Sequence, residues 1–191
     1  MDIILASASP RRELLLRLVV KSFGLFSPDV DETLPPQLSP AEAVVFLARK
    51  KAAAAQQTFG GETLIISADT VVAAGGTILG KPANTDEARC MLKRLSGKTH
   101  EVFTGVAVAQ GARTESFFER SAVTFKPLSE HMLDAYLASG EWQGKAGGYG
   151  IQELASVFVS HIDGDYFNIM GLPLSSLYDC LSGIAPETLV L

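Results

Sequence analysis

The chain has 191 residues, a net charge of −5, 47% hydrophobic and 19% charged residues, which is the composition of one globular domain with a sizeable core. This excludes a disordered chain and a disulfide-stapled miniature scaffold, and the acidic balance argues against duplex nucleic acid or an anionic membrane as the main partner. No run approaches the ~18 apolar residues of a membrane span, and the first apolar run is far shorter than a signal peptide needs. Cys90 and Cys180 have neither metal-ligand nor redox spacing, so reduced thiols in a cytoplasmic protein are expected.

Residues 2–6 read as a short buried strand. Pro10 then opens a helix expected over 10–20, with Ser9 as N-cap. Residues 23–27 suggest a second strand running into the acidic turn Asp29-Val30-Asp31-Glu32. Ser39-Pro40-Ala41-Glu42 is a capping box that opens an alanine-rich helix to about residue 57. Residues 63–74 saturate with Ile, Val and Ala, as a central strand does. Thr85 or Asp86 caps a helix to 96. Residues 99–110 and 114–126 form an expected hairpin around Gly111. A helix follows over 129–139, then a glycine-rich loop at 144–150, a strand over 156–162 and a last helix over 173–182. Strands and helices interleave, so the expected class is α/β with a mixed sheet flanked by helices, in a single domain.

Four features could carry chemistry. Ser7-Ala8-Ser9-Pro10-Arg11-Arg12 places hydroxyls and two guanidinium groups where a strand passes into a helix. Arginine is disfavoured at a helix start, so an anion between the pair and the helix is the functional reading, against a solvated Arg pair. Gly75-xxxx-Gly80-Lys81 imitates a Walker A loop, but Pro82 stands where Ser or Thr must bind Mg²⁺. A P-loop is therefore rejected, and Lys81 remains as a pinned cation able to meet a phosphate. Asp69, followed by Thr70, is a carboxylate inside the most apolar strand, costly unless paired, hydrogen-bonded or metal-bound. Glu32 offers a second carboxylate, although its turn alone reads as plain surface. The loop Lys145–Gln152 carries glycines that let backbone approach a ligand. Lys51 by itself reads as solvated helix surface, and the three histidines have no partners at a catalytic spacing. Several cations, two acids and flexible loops fit a phosphate ester or nucleotide with a divalent cation.

The segments ILASASPRRELL, LARKKA, SADTVV, ILGKP, KAGGYGIQ and GDYFNIMGLPL occur in the order seen in the Maf-like nucleotide pyrophosphatases, also called septum-formation-inhibitor-like proteins. The chain resembles that family from Ile3 to about Leu181. The resemblance implies an elongated α/β fold related to the inosine-triphosphate pyrophosphatases, a homodimer, and hydrolysis of a nucleoside triphosphate to monophosphate and pyrophosphate with Mg²⁺ or Mn²⁺. It implies Asp69 as proton acceptor, with metal ligation as the alternative role, and Glu32 completing the metal site. Ser7, Arg11, Arg12, Lys51 and Lys81 match the family's substrate cluster. Arg12, Thr70 and Gln152 resemble the trio of the branch that prefers dTTP and UTP. The older family name implies the alternative of a nucleotide-binding regulator of cell division with little catalysis.

Overall fold

The structure is a computed structural model that describes residues 1–191. One mixed sheet of seven strands runs through it, in the order β2-β1-β3-β5-β6-β7 with β4 paired to β3. The strands are β1 (Ile3–Ala6), β2 (Gly24–Phe26), β3 (Leu64–Ala74), β4 (Thr77–Leu79), β5 (Thr99–Gln110), β6 (Arg113–Phe125) and β7 (Val159–Asp163). The helices are α1 (Pro10–Leu16), α2 (Pro40–Phe59), α3 (Thr85–Leu95), α4 (Glu130–Ser139), α5 (Tyr166–Met170) and α6 (Leu174–Ser182). β1 runs parallel to β2 and β3, which requires the helical crossovers α1 and α2 between them. The remaining pairings are antiparallel, so the expected α/β class with a mixed sheet is present.

β3 is central and almost wholly buried, as its Ile/Val/Ala-rich composition, interrupted only by Ser67, Asp69 and Thr70 after the leading Leu64, dictates. The expected capping box opens α2: Ser39 Oγ accepts from the Glu42 amide, and the Glu42 carboxylate accepts from the Ser39 amide. The inner face of α2 carries Ala48, Ala52 and Ala55 against Ile65, Ala107 and Ala109. These small side chains let the helix axis lie close to the sheet. At Gly105 the approach is closest, because a Cβ there would stand 2.4 Å from the Val44 carbonyl carbon. Two larger apolar clusters fill the rest. One joins α3 and α4 to Val102, Phe125 and Trp142, and the other joins β1, α1 and α6 to Ile66 and Val108.

Several boundaries differ from expectation. α1 stops at Leu16, after which Leu18 and Val19 donate to the carbonyls of Leu15 and Leu16, and Val20 bridges to Leu189. Its inward face is therefore Leu15 and Leu16, while Leu14 and Leu18 are exposed. Ser9 holds the N-cap position without a side-chain bond; Ser7 Oγ instead accepts from the Ser9 amide. Asn84, one residue before the expected cap, accepts from the Glu87 amide and starts α3. β7 begins at Val159 because residues Leu154–Phe158 coil into a 3₁₀ segment. β4 and α5 have only three and five residues, too short for a periodic signal.

A cation-rich cavity as candidate active site

The end of β1, the first turn of α1, the middle of β3 and α2 converge on a cavity of about 410 Å³. The structure brings together around it all nine residues singled out above: Ser7, Arg11, Arg12, Glu32, Lys51, Asp69, Thr70, Lys81 and Gln152. Its charged lining comprises four cations and the two carboxylates Glu32 and Asp69. A local excess of two positive charges thus sits in a chain of net charge −5, which favours a polyanion at this place.

Lys51 is the largest departure from expectation. It is buried, only 8% exposed, and not solvated. Its position beside the alanine stripe of α2 aims it at β3, where Nζ meets Asp69 Oδ1 at 2.5 Å. The same ammonium meets Glu32 Oε1 at 2.7 Å. A buried carboxylate in a central strand is costly alone, and Lys51 is the partner that offsets it. Asp69 Oδ2 has no protein donor.

The acidic turn is likewise not plain surface. Lys50 Nζ donates to the Asp31 carbonyl at 2.5 Å, and with Lys51 it straps the turn onto α2. Lys81 Nζ, on a half-exposed side chain, lies 3.5 Å from Glu32 Oε2. Burial alone would raise the Glu32 carboxyl, but hydrogen bonding and charge from Lys51, with Lys81 adding, hold it below the usual glutamate range.

Arg12 is anchored by three bonds. Nε donates to the Gly171 carbonyl at 2.8 Å, Nη1 to Ser7 Oγ at 3.2 Å and Nη2 to Thr70 Oγ1 at 2.9 Å. A guanidinium has five N–H groups, so two remain for a ligand. Burial lowers its pKa, opposed by the Asp69 charge. The short α1 carries little dipole, so affinity for an anion here comes from the arginine side chains and not from a helix end. Arg11 lines the same cavity.

Behind Arg12 runs a hydroxyl relay that sequence reasoning missed. Thr104, fully buried and paired with Thr70 across the β3–β5 ladder, donates to the Asn168 carbonyl at 2.8 Å. Its proton being used, it accepts from Thr70 at 2.9 Å, and Thr70 in turn accepts from Arg12. The Thr70 hydroxyl therefore orients Arg12 and has no proton left for a base. A hydroxyl in the saturated run of β5 was the available signal, but its meaning needs the register. On the loop side, Tyr149 lines the cavity and its hydroxyl lies 2.8 Å from His100 Nε2. Burial brings His100 down to about 4, so its imidazole is neutral at pH 7.

Asp69 and Glu32 meet the same ammonium from two sides, so their anionic oxygens lie close together around one small region. No group of three His, Cys, Asp or Glu side chains could cage an ion. Two hard carboxylates with room for phosphate oxygens is nonetheless the donor set that suits Mg²⁺ or Mn²⁺ bound together with a substrate.

Residues 2–184 match the model of the Maf-like protein family. The chain belongs to the Maf-like family. Curated relatives called dTTP/UTP pyrophosphatase in Bacillus cereus and in Bacillus anthracis are 49% identical to this Maf-like chain over 175 residues, covering 92% of it and 91% of each relative. Among solved structures, the Ham1 protein of Staphylococcus aureus superposes with a TM-score of 0.47 at 14% identity, over 65% of this chain and 72% of that one. A nucleoside-triphosphatase, dITP/XTP pyrophosphatase, of Mycobacterium abscessus gives 0.40 at 18% identity, over 67% and 76%. No helix is long and apolar enough to cross a membrane.

Proposed function

We propose that this Maf-like chain hydrolyses nucleoside triphosphates, with dTTP and UTP preferred, to the nucleoside monophosphate and pyrophosphate. The carrying observation is the cavity itself: four cations surround two carboxylates that share the Lys51 ammonium. The names of relatives at 49% identity support the substrate class. The continuous sheet supports treating residues 1–191 as one catalytic unit. The acidic net charge and the family resemblance support a cytoplasmic homodimer acting on free nucleotides, not on polymers.

In this reading water attacks the α-phosphorus, the bond from that phosphorus to the bridging oxygen of the β-phosphate breaks, and pyrophosphate leaves. Asp69 Oδ2, without a protein donor, is the oxygen that orients the water and takes its proton. Arg11, Lys81 and the two free N–H groups of Arg12 meet phosphate oxygens and offset the charge that builds on them. Ser7 and Thr70 hold Arg12 in place. A divalent cation held by Asp69 and Glu32 would supply Lewis-acid neutralisation of the phosphates. Gln152 contributes to the choice of base.

The test is a panel of dTTP, UTP, CTP and purine triphosphates with Mg²⁺ or Mn²⁺, scoring pyrophosphate against orthophosphate. Pyrophosphate, released fastest from dTTP and UTP, is expected. Orthophosphate alone would mean cleavage between the β- and γ-phosphates and would overturn the reading.

A further inference from the structure

An ion pair outside the cavity lining joins the start of the glycine-rich loop to the residue just after Gln152. Lys145, only 8% exposed, places Nζ 2.9 Å from Glu153 Oε2 and also donates to the Glu141 carbonyl. The two charges meet without hydrogen-bond alignment, so Glu153 Oε2 is a buried oxygen held by charge. Both side chains pack over Gly150, where a Cβ would stand 2.8 Å from Lys145 Cε and 2.9 Å from Glu153 Oε2. A larger residue at 150 would therefore displace the pair. The other oxygen, Glu153 Oε1, accepts a hydrogen bond of 3.0 Å from Gln152 Nε2.

This last contact decides which end of the Gln152 amide is spoken for. An ionised carboxylate only accepts, so Glu153 can hold the amide by its NH₂ end alone. We infer that Glu153, fixed by Lys145, is a positioning residue that takes one of the two Gln152 N–H groups and so fixes where the amide carbonyl oxygen stands to read the base, leaving the second N–H for a flanking carbonyl of uracil or thymine. A carbonyl acceptor matches the N3–H of uracil and thymine. It opposes cytosine, whose N3 is itself an acceptor. The lock thus turns an ambivalent side chain into a discriminating one, because a free amide could rotate and offer cytosine an N–H instead. The inference deepens the proposed function and rests on it.

The experiment compares wild type with Glu153→Ala and with the exchange Lys145→Glu/Glu153→Lys, measuring kcat/KM for UTP and CTP and the binding of UMP and CMP by calorimetry. In E153A the amide turns freely. The UTP-to-CTP ratio and the UMP-to-CMP affinity ratio are expected to fall about tenfold, mostly through a better KM for CTP, with kcat on UTP little changed. In the exchange the ion pair persists, but an ammonium only donates and so holds Gln152 by its oxygen. The NH₂ end then faces the base, and cytosine is expected to become the favoured pyrimidine. A merely structural pair would leave both ratios unmoved in the exchange. A wild type that cleaves UTP and CTP alike overturns this inference together with the assigned preference. A wild-type preference that survives intact in E153A overturns the inference alone, and E153A decides the matter even where the exchanged protein does not fold.

Discussion

Replacing Lys51 by Met removes the ammonium and keeps most of the side-chain volume, so the charge is tested without a large cavity. Lys51 and Asp69 are each only 8% exposed, and their 2.5 Å contact is the sole protein hydrogen bond to the Asp69 carboxylate. The Glu32 side chain keeps 44% exposure and can regain water, so its share is small. The loss is therefore mainly that of stranding one buried carboxylate, for which ~3–5 kcal/mol is the usual cost. In a chain of this size each kcal/mol moves Tm by about 2–4 °C, so a fall of roughly 6–20 °C is expected. Urea unfolding of the nucleotide-free protein at pH 7, with the m-value unchanged, reads the same quantity. The double variant Lys51→Met/Asp69→Asn strands no charge and should recover ~1–3 kcal/mol relative to the sum of the two single changes. A Tm within about 2 °C of wild type for Lys51→Met, or a strictly additive double variant, would refute the argument that this pair is desolvated and coupled.

Asp69→Asn should lower kcat by at least ~10²-fold while far-UV circular dichroism stays native, as the loss of a proton acceptor or metal ligand requires; near-normal turnover would make Asp69 structural. For Glu32 the folded pKa lies below the ordinary value of 4.5, so the folded state binds fewer protons than the unfolded one near that pH. Its contribution is present above about 4.5 and is lost as pH falls through the folded value. The stability gap between wild type and Glu32→Gln should accordingly be seen at pH 6–7 and shrink below pH 4.5, and raised Mg²⁺ should restore part of the variant's activity. Gly105→Ala would press a methyl within 2.4–2.6 Å of the Val44 and Val45 backbone. It should cost ~3 kcal/mol and, by moving the helix that carries Lys51, lower kcat as well; an unchanged Tm would show that α2 is free to shift.

Local chemistry made much of this protein legible in one dimension. The capping box at Ser39, the saturated run of β3 and the turn at Gly111 each depend on neighbours a few residues away, and they appear within a residue or two of where the periodicity puts them. The strand-buried Asp69 was conspicuous for the same reason, since its cost follows from the residues beside it. Six motifs in family order then collected Ser7, Arg11, Arg12, Lys51, Asp69, Thr70, Lys81 and Gln152, with Glu32 added from the acidic turn between the first two, although their spacing alone said little about how any two of them meet. Lys51 shows where the one-dimensional reading stopped. On an alanine-rich helix a lysine is solvated or buried according to what passes beneath it, and only the docking of α2 on β3 and β5 put a carboxylate there. Thr104 is the same kind of case. Its hydroxyl became part of the Arg12 support because the antiparallel register sets it opposite Thr70, and α5 brings the Asn168 carbonyl to it from 64 positions away. Elements follow from interactions between near neighbours; the direction in which each polar group donates is decided by partners distant in sequence, and those exist only once the sheet is assembled.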